Sequence, residues 1–152
     1  AYLLTELASK LLVLNVEPSG ELRLRETLST LPDDFDGQSL GGHLELNAAG
    51  TKVYASNRGH DSLAVFDVGT DGGLSRYGIY PTFGKSPRHF VLAEDRQAIL
   101  VAHQNGNTVD VIAMDDGVPG AHLDSCSVQN PAFVGRVPPS RVDHRPPNGR
   151  GA

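Results

Sequence analysis

The stretch that decides the fold is KVYASNRGHDSLAVFDV, residues 52–68. Two segments of alternating apolar character flank a short polar turn, which is the pattern of a β-hairpin. Tyr54, Val65 and Phe66 are bulky strand formers, whereas Asn57, Gly59 and Asp61 carry turn chemistry. Arg58 stands where the first strand runs out, and His60 and Asp61 are expected to form the turn.

The chain repeats this hairpin on both sides. A shift of 46 residues lays Lys52-Val53-Tyr54 on Ala98-Ile99-Leu100, His43-Leu44 on His89-Phe90, and Arg58 on Gln104. A shift of 52 residues the other way lays Tyr2 on Tyr54, Val13 on Val65, Gly20 on Gly72 and Glu6 on Arg58. Each unit then reads as four short strands. The middle unit has them at 43–49, 52–58, 62–68 and 73–82, and the next at 88–94, 98–104, 108–114 and 122–129. An incomplete unit precedes them at 2–6, 11–16 and 21–31, and 132–137 reads as the first strand of another.

Four antiparallel strands in about 40–50 residues is the signature of a β-propeller blade. A β-sandwich shares the spacing but does not explain self-similarity in register. The expected fold is therefore all-β, about three propeller blades: an incomplete blade at 1–31, blades at 43–82 and 88–129, and the opening strand of another at 132–137. Met114 and Phe66 fall in the strand pattern and are expected in the core, and the lone Cys126 is expected to be a small buried hydrophobe.

A closed propeller needs about four blades at least, so the chain reads as a piece of a larger protein. It opens AYLLTEL, without Met and inside a strand. Residues 138–152, PPSRVDHRPPNGRGA, hold four prolines and three arginines without apolar periodicity and read as a disordered tail. A foreign or frameshifted end is one account of the abrupt break near Val137. Open strand edges at either end predict association with missing blades or with further copies, and no activity from the isolated chain.

Composition narrows the function. With 39% hydrophobic and 20% charged residues among 152, the chain is that of a globular protein. A net charge of −5 and a pI near 5.6 argue against nucleic-acid binding, and no apolar run is long enough for a membrane span. The single cysteine excludes an intrachain disulfide and favours a reducing, cytoplasmic compartment. The histidines lack paired ligand spacing, so no metal is expected, and no cofactor motif or serine nucleophile elbow is present.

Blade geometry gathers the candidate site. In an up-down blade the end of the second strand and the start of the first lie at one edge of the sheet. Glu6, Arg58 and Gln104 share the second-strand position of three successive units, while His43, Arg88 and His89 begin first strands. All six are expected at the mouth of a central channel, a common place for small-molecule sites. The connection 31–42, carrying Asp33, Asp34, Phe35 and Asp36, is either a rim of that face or a plain acidic loop.

The runs YASNRGHDSLAVFDV, GKSPRHFVL and TELASKLLVLNV resemble the seven-bladed propeller lactonases, which include bacterial 6-phosphogluconolactonases and fungal carboxy-cis,cis-muconate cyclases. The resemblance covers about residues 1–137. It implies an enzyme that opens or forms the lactone of an acidic sugar or dicarboxylate, with a small-molecule lactone as partner. Matched motif by motif, the family's Asn-Glu-Leu glutamate falls on Glu6, with Thr5 in place of the asparagine. Its Asn-Arg-Gly arginine falls on Arg58 and its Pro-Arg arginine on Arg88. The family's further His and Arg lie in blades before residue 1. Asn47-Ala48-Ala49-Gly50 replaces a usual Ser-Pro-Asp-Gly, and His43 stands where glutamate is common.

The residue types suit the chemistry. Arg58 can stabilise an oxyanion or clamp a carboxylate or phosphate. Glu6 can act as general base towards water or as proton donor to the ring oxygen. Arg88, His89, Gln104 and His43 are the expected substrate-binding residues. The alternatives are a muconate-type cyclase using the same pair, and a non-catalytic propeller that binds a ligand or protein on its open face.

Overall fold

The structure, a computed structural model, describes residues 1–137; the tail expected at 138–152 lies outside the described residues. Its strands are β1 (Tyr2–Thr5), β2 (Lys10–Val16), β3 (Leu22–Ser29), β4 (Leu40–Leu46), β5 (Lys52–Arg58), β6 (Ser62–Val68), β7 (Leu74–Pro81), β8 (Pro87–Ala93), β9 (Ala98–His103), β10 (Thr108–Asp115) and β11 (Val118–Ser127). A single 3-10 turn, Glu94–Arg96, joins β8 to β9. They form three antiparallel meanders: β1-β2-β3, β4-β5-β6-β7 and β8-β9-β10-β11. This is the partial propeller expected. None of the helical segments among the described residues is long and apolar enough to cross a membrane.

The period-two pattern of β5 and β6 explains why blades stack face to face. Tyr54, Leu63 and Val65 point to one side, into a cluster with Phe90, Leu92, Ile99, Val101, Ile112 and Met114 of the third sheet. Their neighbours Val53, Ala64 and Phe66 point to the other side, against Leu11 and Val13 of the first sheet. The middle sheet is thus buried on both faces, and each large side chain sealed there contributes about 1.5–3 kcal/mol. Met114 and Phe66 lie in the core as expected, at 7% and 0% exposure.

The repeat extends to individual turn atoms. Ser9, Asp61 and Asn107, equivalent under the two shifts, all adopt positive φ of 47°, 57° and 55°. Each offers its carbonyl to an equivalent amide: Thr30 at 3.1 Å, Thr82 at 3.1 Å and Val128 at 2.9 Å. These bonds tie the end of each outer strand to its own blade's inner hairpin.

Three expectations need correction. Cys126 is exposed, because β11 is the outermost strand of its sheet and has no neighbour to cover it. Residues 131–137 form no strand; a sheet partner for an opening strand would come from a further blade. β11 begins at Val118 rather than 122, because Asp116 and Gly117, both at positive φ, make a two-residue turn after β10.

Candidate functional site

The site begins with two glycines. A side chain on Gly41 would meet the Thr5 carbonyl oxygen at 2.6 Å, and one on Gly42 the Pro87 carbonyl oxygen at 2.6 Å. Their bare backbones let β4 lie close to both neighbouring blades. Gly41 N–H donates to the Glu6 carbonyl at 2.7 Å, and its own carbonyl accepts from Arg58 Nη2 at 2.9 Å. The register slips between Gly41 and Leu44, so β4 carries a bulge where the site forms.

Arg58 ends β5 and reaches across the blade boundary. Its Nη2 meets Glu6 Oε1 at 2.5 Å. The two side chains differ sharply in exposure, at 10% for Arg58 and 61% for Glu6. Hydrogen bonding and charge from Arg58 hold the Glu6 carboxyl below its usual range, so it is ionised at neutral pH. A mostly buried guanidinium therefore depends on a carboxylate that water can reach.

His43 and His89 stack across the next boundary, with ring centroids 3.9 Å apart, and Phe133 lies 4.0 Å from His89 on residues beyond β11. Burial, helped by the charge of His89, pushes the His43 imidazole down to about 4. Burial also lowers His89. Both rings are neutral at physiological pH, and so suited to stacking and hydrogen bonding rather than to carrying charge. Arg88 Nη1 donates to Gln104 Oε1 at 3.3 Å.

A cleft of about 490 Å³ is lined by Glu6, Arg58, Arg88, His43 and His89 together with Gly41 and Gly42. Five of the six expected residues meet there. Gln104 does not line it and touches it through Arg88. His60 and Asp61 form the turn after β5, where Asp61 Oδ1 accepts from Gly59 N–H at 3.0 Å. The connection 31–40 lies over this turn: Phe35 meets the His60 ring edge-on at 4.8 Å, and a side chain on Gly59 would strike the Gln38 carbonyl oxygen at 2.3 Å. It is a rim of the functional face, although Asp33 turns away to pair with Arg76 at 3.0 Å. Among the described residues no group of His, Cys, Asp or Glu is arranged to hold a metal ion.

The sequence reading did not single out Gly41, Gly42 or Asn57. Asn57 is fully buried; its Nδ2 donates to the Thr30 carbonyl at 2.8 Å and its Oδ1 accepts from Thr30 Oγ1 at 2.6 Å. It bolts the first blade to the second directly behind Arg58. The adjacent Gly-Gly pair at a strand start was the available cue for close backbone approach.

Comparison with known proteins agrees with this geometry. The family described as "Lactonase, 7-bladed beta-propeller" matches residues 1–135. A Bacillus subtilis protein named 6-phosphogluconolactonase is 39% identical over 113 residues, covering 72% of this chain and 32% of that protein. An uncharacterised protein of Lactococcus lactis is 34% identical over 140 residues, 91% of this chain and 41% of the relative. The solved Pseudomonas aeruginosa periplasmic gluconolactonase PpgL superimposes with a TM-score of 0.80 at 29% identity, over 87% of this chain and 40% of that one. The chain thus spans roughly a third to two fifths of the length of these relatives. It belongs to the seven-bladed β-propeller lactonase family.

Proposed function

We propose that the chain supplies three consecutive blades of a lactonase that opens an acidic sugar lactone, with 6-phosphogluconolactone as the first candidate. The observation that carries this reading is the Glu6–Arg58 pair, 2.5 Å apart across a blade boundary in a cleft that also holds Arg88, His43 and His89. The names of the Bacillus and Pseudomonas relatives support the substrate class.

Lactone opening adds water to the carbonyl carbon, then breaks the bond from that carbon to the ring oxygen. Arg58, fixed by Gly41 and largely buried, is placed to neutralise the negative charge that develops on the carbonyl oxygen. Glu6, ionised at neutral pH, takes a proton from the attacking water and returns it to the departing ring oxygen. Its lowered pKa favours the base role first. Arg88, His89, Gln104 and His43 hold the substrate, with Arg88 as the second cation for its acidic group. We assign the protein to the cytoplasm on its lone cysteine. The remaining blades, or a second copy, are the partners expected to cover Leu3, Leu7 and Phe133, which are 44%, 85% and 71% exposed.

The test is acid release from 6-phosphogluconolactone by the protein translated from the full reading frame around this segment. Hydrolysis above the spontaneous rate supports the reading. Formation of a lactone from a muconate instead would reassign the direction, and neither reaction would leave a ligand-binding propeller.

A further inference from the structure

Arg58 lines two cavities. Besides the cleft it shares with Glu6, it borders a hollow of about 840 Å³ enclosed by the turn after β1, the 31–40 connection and the loops at Lys85 and Gln104. Three polar atoms on the walls of this hollow have no hydrogen-bond partner among the described residues: Ser9 Oγ, Ser39 Oγ and Arg58 Nε. Ser9 is 1% exposed and the Arg58 side chain 10%, so water does not simply take the missing role. Leaving such groups unpartnered costs about 1–3 kcal/mol apiece. No other cavity gathers more than one of them.

The unpartnered atoms share one chemistry. Arg58 Nε–H can only donate, and a serine hydroxyl donates to any acceptor that its hydrogen can turn towards. Lys85, exposed at the rim, adds a second positive charge. The one carboxylate on the wall, Asp61, already accepts from the Gly59 and Ser86 amides at 3.0 and 2.8 Å. Two cations and two hydroxyls around a space of this size suit a tetrahedral oxyanion with several acceptor oxygens better than a planar carboxylate.

We propose that this hollow is a phosphoryl-binding subsite, with Arg58 Nε, Ser9, Ser39 and Lys85 as its donors. Arg58 then serves two groups at once: Nη2 faces the Glu6 cleft and Nε faces the phosphoryl group. The anion preference stands on the hollow's own residues. That the phosphoryl group belongs to the lactone rests on the function proposed above. The Ser9–Lys85 wall would then discriminate a phosphorylated lactone from its unphosphorylated counterpart.

The test has two arms. In the first, inorganic phosphate is titrated into the 152-residue chain, and the amide NMR shifts of Ser9, Ser39, Gly59 and Lys85 are followed. The expected result is saturable movement of these amides, weakened about tenfold by Lys85→Gln, as loss of one charged hydrogen bond implies. Acetate at the same concentration is expected to leave them in place. Absence of saturation, equal response to acetate, or an unchanged affinity in both Lys85→Gln and Ser9→Ala would overturn the proposal. In the second arm, the complete protein is assayed on 6-phosphogluconolactone and on gluconolactone. Lys85→Gln is expected to raise KM about tenfold for the phosphorylated lactone and leave the other unchanged. An equal effect on both lactones overturns the subsite's role in specificity. Phosphate binding with neither lactone hydrolysed would sink the lactonase reading and leave the subsite standing.

Discussion

Arg58 and Glu6 occupy equivalent positions in adjacent blades, 52 residues apart, yet they are joined as donor and acceptor at 2.5 Å. Repetition placed two charged residues at the same edge of neighbouring sheets, and divergence made them opposite in sign. The buried member is the cation and the exposed one the anion. An incoming anionic group can therefore share or replace the carboxylate's role without first being buried, because the guanidinium is already desolvated and fixed by the Gly41 carbonyl.

Gly42→Ala tests the close approach that builds the cleft. Its new methyl would lie 2.5 Å from Ser56 Oγ and 2.6 Å from the Pro87 carbonyl, and backbone cannot move aside cheaply. Overpacking of this kind costs about 1–3 kcal/mol. Urea unfolding of the variant should show a lower midpoint at an unchanged slope; an unchanged midpoint would mean that the blades are not so tightly apposed.

Asn57→Ala should loosen the first blade from the second. It strands the Thr30 carbonyl and hydroxyl in a buried site, at about 1–3 kcal/mol for each group left unpartnered. Amide exchange should then quicken in β1–β3 before it quickens in β8–β11. Uniform acceleration across all three sheets would contradict the bolt.

Much of this was legible in the sequence. β5 and β6 begin and end where the alternation says, because both faces are buried and a one-residue slip would expose every large side chain. β4 was misplaced by three residues, running from Leu40 to Leu46 rather than 43–49. Its bulge lets pairing start early at Leu40 opposite Arg58, and the Asn47 side chain ends it by accepting from the Thr51 and Lys52 amides. The turn at Asp116-Gly117 carried a strong hairpin dipeptide that the reading passed over. The six candidate residues followed from repeat position alone. The hollow beside Arg58 did not, since Ser9, Ser39 and Lys85 come from three separate loops, and no local pattern announces that they converge.

Stability should fall as the solution is acidified, before the carboxylates titrate. His43 titrates near 4 in the folded chain against 6.5 when exposed, and burial lowers His89 and His103 in the same sense. The unfolded chain therefore binds these protons first. Stability conferred by the neutral rings is complete above about pH 6.5 and is lost as pH falls towards 4, by up to about 3 kcal/mol for His43. Thermal melts across this window should show a falling Tm, and His43→Gln should flatten part of the slope. A Tm independent of pH there would contradict the burial of these rings.

The most direct test of the central claim is kcat/KM for lactone hydrolysis by the complete protein with Arg58 and with Arg58→Ala. The account predicts a loss of about 10²–10³, as removal of one preorganised oxyanion donor produces, with the Glu6→Gln variant likewise impaired and the double variant no worse than additive. Activity retained within about threefold in Arg58→Ala, a difference of under 1 kcal/mol, would contradict it and move the chemistry away from this blade boundary.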